Sequence, residues 1–525
     1  MCLALVGVVR KMSREKILSK EAFGEMRERF RREGKTVVLC HGVFDLLHYG
    51  HIEHLAEAKS QGDILVVSVT AAEYVNKGPG RPYFNDEQRL SFLASIEYVD
   101  YVLLSEAVTV HEIVKFVKPD VYVKGQEYST ENNDVTGNIG AEQKIVEHYG
   151  GRIYFTQGAV YSSTKLLNNF FDALPEEMIA VSRKLKKKYG ADIYEQMRQK
   201  IEDFSKIKVL VIGDIIIDEY IFCSVQGVTM KDAALSVRYD YTERYIGGAL
   251  AIARHISDFV GKTDLLSMMG YDKNVQELIE KKMQRINCRI VQDKNFRTPI
   301  KRRYLKQNPL RQEYDKLFSV NDLPRIEERS GVNYDNFYRN LQEMIPKYDL
   351  IVVCDYGHGL IDEKAIKIIE EKSRFLSVNC QTNSSNLGAN LITKYHRADA
   401  FVVDEREAKL PFGQTIGNSD VLLERLADLL KSKFAWLTVG ANGAFGIGQG
   451  EKKHLPALTL HVKDTVGAGD AFYSLATLTA IASMPIDQAT LVCNIAGAIK
   501  SNLLGNSKPV KKVDLLKFLA TVLNV

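Results

Sequence analysis

Proline and glycine are sparse in this 525-residue chain, together about 9% of it against a usual ~12%. That excludes collagen-like repeats and long low-complexity linkers. The seven cysteines (Cys2, Cys40, Cys223, Cys288, Cys354, Cys380 and Cys493) are odd in number and form no CxxC pair. A disulfide framework and an ordinary zinc site are thereby excluded. Cys40 and Cys354 lie inside apolar runs, where reduced core thiols belong, so a reducing, cytoplasmic setting is expected. No stretch nears the ~18 consecutive apolar residues of a membrane span, and no membrane partner is expected. Residues 1–9 are apolar but carry neither a basic start nor a cleavage site, unlike a signal peptide. A helical pattern opening at Met12 makes that residue a candidate natural start. Charge of one sign is also lacking: 70 basic against 66 acidic residues leave +4. This is too little for a nucleic-acid partner. The dense basic runs 183–188 and 301–303 read first as solvated faces.

What is present is ordinary globular composition, 45% hydrophobic and 26% charged, enough for two independent cores. Apolar runs at 36–40, 64–69, 101–104 and 121–123 alternate with helical patterns at 50–61, 87–96 and 110–117. Such alternation means βαβ units and a parallel sheet. A second α/β pattern opens at Val209 and continues through strands at 350–354, 401–403 and 435–439. The expected domains are a helical extension over 1–34, an α/β domain over 35–171, a helical connector over 172–205 and a second α/β domain over 206–525.

The strongest feature of the first domain is Gly42-Val43-Phe44-Asp45-Leu46-Leu47-His48-Tyr49-Gly50-His51, between a buried strand and a helix start. Ligands bind at such junctions of parallel sheets, and helix N-termini favour anions. Two imidazoles three residues apart can stabilise charge developing on a phosphate, and Gly50 permits close backbone approach. His54 extends the spacing, but with no cysteine or fourth ligand nearby the three histidines do not make a zinc site. Gly34-Lys35-Thr36 mimics the end of a P-loop, yet the glycine that motif requires is Arg29.

On these residues, 35–170 resembles the cytidylyltransferase-like nucleotidyltransferases, whose hallmark is HxGH. Lys77-Gly78-Pro79-Gly80-Arg81-Pro82, the stretch Pro119 to Tyr128, and Ser162-Ser163-Thr164-Lys165 are similar to the adenylyltransferase half of bifunctional ADP-heptose synthesis enzymes. The core motif also resembles glycerol-3-phosphate cytidylyltransferases, so ATP and CTP both stand as nucleotidyl donors. The resemblance implies a Rossmann-like fold in which a substrate phosphate attacks the α-phosphorus of a nucleoside triphosphate and pyrophosphate leaves. His48, His51 and Lys77 are then the catalytic residues. Gly42, Phe44, Gly50, Lys124, Ser162, Ser163 and Thr164 line the nucleotide, with Mg²⁺ bridging phosphate oxygens.

The second domain carries Asp464-Thr465-Val466-Gly467-Ala468-Gly469-Asp470-Ala471-Phe472, opening an apolar helix. Small residues at a helix start expose consecutive amides, an anion hole for a transferring phosphoryl group. A carboxylate in the first turn can accept a hydroxyl proton. With Gly213-Asp214, Asp218, Gly247-Gly248-Ala249, Asp355-Tyr356-Gly357 and Asp404-Glu405-Arg406-Glu407, residues 206–525 resemble the ribokinase-like (pfkB) carbohydrate kinases. The resemblance makes Asp470 the catalytic base and Gly467, Ala468 and Gly469 the anion hole. It sets Asp404, Glu407, Thr438, Gly440 and Asn494 at the nucleotide, Glu407 also placing Mg²⁺. Asp214, Asp218, Gly247 and Gly248 fall at the sugar, and Lys301 and Arg303 at a sugar phosphate.

Three departures change the acceptor side. Ala251 ends the Gly-Gly-Ala-Ala-Asn pattern of heptose kinases, Asn379-Cys380-Gln381 replaces Asp-Pro-Lys, and Asp404 begins their Asn-x-x-Glu. Two readings follow. In one, the kinase makes a sugar 1-phosphate, from heptose 7-phosphate and ATP, and the transferase activates it; the halves then stand in the order opposite to the family's. In the other, the second domain only binds or scaffolds beside an active transferase. A homo-oligomer, as a dimer, is expected.

Overall fold

The computed structural model describes residues 15–75, 82–107, 109–126, 139–157, 176–229, 232, 234–308, 313–324, 331–382, 386–413, 417–458, 462 and 464–523. Two compact units result, Met1–Leu174 with Leu516–Val525, and Pro175–Leu515. Both are α/β, as the apolar runs require.

In the first unit, strands β1 (Ile17–Leu18), β2 (Val37–Gly42), β3 (Ile64–Thr70), β4 (Tyr101–Ser105), β5 (Val121–Lys124) and β6 (Arg152–Phe155) form a sheet in the order β1-β4-β3-β2-β5-β6. All pairs are parallel. The uninterrupted apolar runs are explained by burial of both faces. Val38, Cys40, Val67 and Val123 pack on one side with Leu55 and Leu93. Val37, Leu39, Val66 and Tyr122 pack on the other with Phe23, Phe30 and Val114. The segment expected as an N-terminal extension is integral to this unit. Ile17 pairs with Val102, and the helix Lys20–Arg32 is held because Phe23 and Phe30, two turns apart, are buried.

The second unit has a sheet in the order β11-β10-β7-β14-β15-β16-β17-β18-β19. Its strands are β7 (Lys208–Gly213), β10 (Lys262–Met269), β11 (Asn287–Gln292), β14 (Leu350–Asp355), β15 (Leu376–Cys380), β16 (Ala400–Asp404), β17 (Phe434–Thr438), β18 (Ala444–Gly448) and β19 (Glu451–Leu455). Only the β17–β18 and β18–β19 pairs are antiparallel. The chain order reverses between β7 and β14, which opens a crevice at their carboxyl ends. A separate sheet, β13-β12-β8-β9, is built from β8 (Ile215–Val228), β9 (Leu235–Gly248), β12 (Ile300–Asn308) and β13 (Glu313–Asp322). The polar alternation of β9 hides its strand character. The helices Glu176–Tyr189 and Ile193–Asp203, expected as a connector, pack on this unit: Lys188 reaches Glu451 and Asp487 at 3.0 Å each. Among the described residues no helix is long and apolar enough to cross a membrane.

Candidate active sites

In the first unit the switch of strand order falls between β2 and β5, and the loop after β2 carries the HxGH residues. Phe44 and Leu46 both adopt left-handed backbone, at φ +49° and +48°, a strain that persists only where surroundings impose it. They do so here. The buried Asp45 carboxylate accepts from the Tyr83 and Phe84 amides at 2.8 and 3.1 Å. Fully buried Arg89 donates to the Val43 and Thr70 carbonyls at 2.7 and 2.8 Å and pairs with Asp86. A Cβ on Gly42 would meet the Phe44 ring at 3.3 Å, so the small residue lets that ring fold back.

His48 is the N-cap of the helix Tyr49–Lys59 and His51 lies in its first turn. Their rings sit 4.0 Å apart, centroid to centroid. The His48 amide donates to His51 Nδ1 at 3.3 Å, which in the neutral ring leaves the proton on Nε2 as a donor. Burial holds His48 below its ordinary pKa, so it is neutral near pH 7. Two imidazoles at a helix N-terminus suit an anion.

His54, set aside above as a zinc ligand, has its Nδ1 3.1 Å from Oγ1 of Thr156, the residue after β6. Lys124 pairs with Glu142 at 2.7 Å, tying β5 to the helix Ile139–His148. His41, which the motif reading passed over, bonds Ser68 and Thr70 at 3.2 and 3.4 Å; burial first, then the Lys124 charge, push it down to about 3. Lys77, Ser162, Ser163 and Thr164 lie outside the described residues.

In the second unit the crevice is a cleft of about 300 Å³ where both sheets meet the start of the helix Ala468–Ile481. Asp470 lines it beside Tyr356, Gln381, Lys301, Asp218 and Arg303. Gly467 and Gly469 line it too, whereas the Ala468 amide donates to the Thr465 carbonyl at 3.2 Å. Gly467 has φ +82°, and a Cβ there would stand 2.3 Å from Asn506 Oδ1. Gly467→Ala is therefore expected to cost about 1–2 kcal/mol through the backbone alone, plus the displaced Asn506. Phosphoryl transfer should fall while nucleotidyl transfer holds, as separate assays of ADP and pyrophosphate would show.

The paired glycines of β9 have steric reasons. A Cβ on Gly247 would lie 2.6 Å from Asp218 Oδ2, and one on Gly248, at φ +58°, 2.4 Å from the Asp214 carbonyl. Asp218 pairs with Arg303. Strand alternation splits the basic run: Lys301 and Arg303 face the cleft, while Arg302 turns to Glu219 at 2.8 Å.

Asp214 lies behind the cleft. Its Oδ2 accepts from the Tyr356 and His358 amides at 2.9 and 3.4 Å. Burial first, then the Asp355 charge, push it from the ordinary 3.8 up to about 6. A raised folded pKa means the native state keeps a proton the unfolded chain has released. Stability therefore declines as pH rises through that window. Asp214→Asn should remove this decline, gaining up to about 3 kcal/mol on wild type between about pH 4 and pH 7. Urea unfolding followed by fluorescence of Trp436, the only tryptophan and fully buried in this unit, measures it.

Asp404 and Glu407 also line the cleft, and Asp404 Oδ1 accepts from the Glu407 amide at 2.7 Å. Glu407 in turn accepts from the Asp404 and Thr382 amides at 3.0 and 2.9 Å. Burial, then the Asp404 charge, push Glu407 up to about 7. Thr438 lines the cleft too, and Gly440 opens the turn after it. Asn494 is set apart, its amide donating to the Leu455 and Pro456 carbonyls at 3.3 and 2.9 Å. Ala251 is buried in the helix Ala249–Ser257 and does not line the cleft.

Asp464 opens the motif but had no role assigned, and Lys500 lay outside it. Asp464 accepts from the Val466 and Gly505 amides at 3.0 and 2.8 Å. Fully buried Lys500 donates to the carbonyls of the same two residues. Together they clamp the glycine turn.

A parallel-sheet unit with an HxGH loop, and a crevice with a carboxylate beside a glycine-rich helix start, define a protein built for handling phosphate groups. The pfkB family carbohydrate kinases match residues 206–511, and the chain belongs to that family. The cytidylyltransferase-like family matches residues 39–169. Among curated proteins, the bifunctional protein HldE of Aliarcobacter butzleri is 43% identical over 122 residues, 23% of this chain and 25% of that one. HldE of Trichlorobacter lovleyi is 33% identical over 180 residues, 33% of this chain and 35% of that one. The chain thus spans between a quarter and about a third of the length of these relatives. Phosphofructokinase-2 from Escherichia coli, in complex with potassium, aligns at TM-score 0.47 and 14% identity, covering 60% of this chain and 99% of that one.

Proposed function

We propose that the chain is a two-reaction enzyme of nucleotide-sugar synthesis, with the nucleotidyltransferase half first and the kinase half second. The observation that carries this is the coexistence of the adjacent His48 and His51 rings with Asp470 beside the Gly467 turn. The proposed acceptor is heptose 7-phosphate, its phosphate met by Lys301 and Arg303. Its C1 hydroxyl gives a proton to Asp470 as its oxygen attacks the γ-phosphorus of ATP, and ADP leaves. In the first unit the new sugar 1-phosphate attacks the α-phosphorus of ATP or CTP, pyrophosphate leaves, and no base is required.

Mg²⁺ fits the donor set in one way. Among the described residues no group of three or more His, Cys, Asp or Glu side chains is placed to hold a metal. Asp404 and Glu407 offer hard oxygens at the cleft, as suits Mg²⁺ arriving on a triphosphate and held by one or two carboxylates. Bound there, it would neutralise phosphate charge.

The test is the full chain with ATP, Mg²⁺ and heptose 7-phosphate, scored for ADP, pyrophosphate and a nucleotide sugar. All three products are expected. Pyrophosphate from supplied sugar 1-phosphate, with no ADP from any sugar phosphate, would favour a kinase-like half that only binds ligand. Neither product would overturn the proposal.

A further inference from the structure

We propose that Tyr356 and Gln381 are positioning residues that grip Asp470 through one carboxylate oxygen, leaving the other as the proton acceptor. This rests on the kinase reading of the cleft. Tyr356 Oη donates to Asp470 Oδ1 at 2.9 Å, and Gln381 Nε2 reaches the same oxygen at 3.3 Å. Among the described residues, no hydrogen bond engages Oδ2. Each donor is itself fixed. Tyr356 follows the end of β14, its amide bonded to Asp214. Gln381 follows the end of β15, its Nε2 also donating to Asn379 Oδ1 at 3.0 Å. The carboxylate can then neither rotate nor present Oδ1 to the acceptor.

The replaced triplet Asn379-Cys380-Gln381 thus keeps a donor where a lysine would stand, but a neutral one. Burial raises the Asp470 pKa, and the Tyr356 bond opposes that rise most. Among the described residues, the other charged or titratable groups around Asp470 include Asp218, Lys301 and Arg303 from the smaller sheet, Cys354 on β14 and Lys500 on the helix Ile486–Ser501.

The experiment is the pH profile of ADP formation from heptose 7-phosphate for the full chain, Tyr356→Phe, Gln381→Leu and Gln381→Lys. Tyr356→Phe removes a donor to the ionised form, so its acid limb should move up by about one pH unit or more. Gln381→Leu should shift it the same way by less, and Gln381→Lys, which adds a cation, the opposite way. A merely structural role would lower turnover without these opposed shifts. Unmoved limbs in all three variants would overturn the proposal while leaving the kinase reading intact. A wild type that forms no ADP would count against the kinase reading instead. Infrared titration of the Asp470 carboxyl, as the difference from Asp470→Asn, then decides the grip: a band unmoved by Tyr356→Phe overturns it.

Discussion

Asp470→Asn should lower ATP-dependent sugar phosphorylation by about 10³–10⁴, towards the upper end of what one general base supplies. Pyrophosphate release from supplied sugar 1-phosphate should be unchanged. The variant isolates proton acceptance from everything else the residue does. An amide oxygen can still accept from Tyr356 Oη and Gln381 Nε2, the partners of Oδ1, so the helix start keeps its geometry. Stability should hold or rise. The carboxyl's pKa is raised in the fold, chiefly by burial, so its ionised form is disfavoured there and a neutral isostere escapes that cost above the native pKa. Trp436 fluorescence checks folding independently of turnover. Full phosphorylation by Asp470→Asn would remove the carboxylate from the reaction. A lower melting temperature with equal loss of both activities would place it in the scaffold.

The residues proposed for the two reactions stand out in the sequence where a motif meets the end of an element. Val37 to Cys40 is apolar at every position because both faces are buried, and that pattern also fixed where the HxGH loop begins. Asp470 stands out because the glycine-rich stretch before its helix marks a turn, and the structure sets it in the cleft beside Gly467 and Gly469. Less legible was everything set by long-range pairing. β9 alternates tyrosines with charges and looks like a solvated loop until β8 lies beside it, with Tyr241 against Phe222. In the basic run at 301–303, Lys301 and Arg303 were set at a phosphate by resemblance; what stayed hidden was the Glu219 partner of Arg302, which only the β12–β8 pairing brings alongside. Asn494 was placed by resemblance at the nucleotide; its side chain secures the chain after β19. Lys500 sits in an apolar helix with nothing nearby in sequence to mark it. Its partners, Val466 and Gly505, come from two loops, and Asp464 accepts from the amides of the same two residues.

Replacing His48 or His51 by Ala should each lower nucleotidyl transfer by about 10²–10³, the usual loss when one preorganised donor to a developing charge is removed. The two variants should fail differently. The His51 ring accepts the His48 amide at 3.3 Å. His51→Ala therefore removes both a donor to phosphate and the acceptor that sets the helix entry, and KM for the triphosphate should rise with the fall in kcat. His48 is the N-cap itself, so His48→Ala should act mainly on kcat. Both rings rest on a loop strained at Phe44 and Leu46 and held by Asp45 and Arg89, so the positions survive when a ring is lost. ADP formation from the sugar phosphate should survive in both variants, since that cleft lies wholly within the second unit. Loss of ADP formation alongside pyrophosphate release would mean that the two reactions are not independent. Unchanged pyrophosphate release in either variant would remove that imidazole from the transfer step.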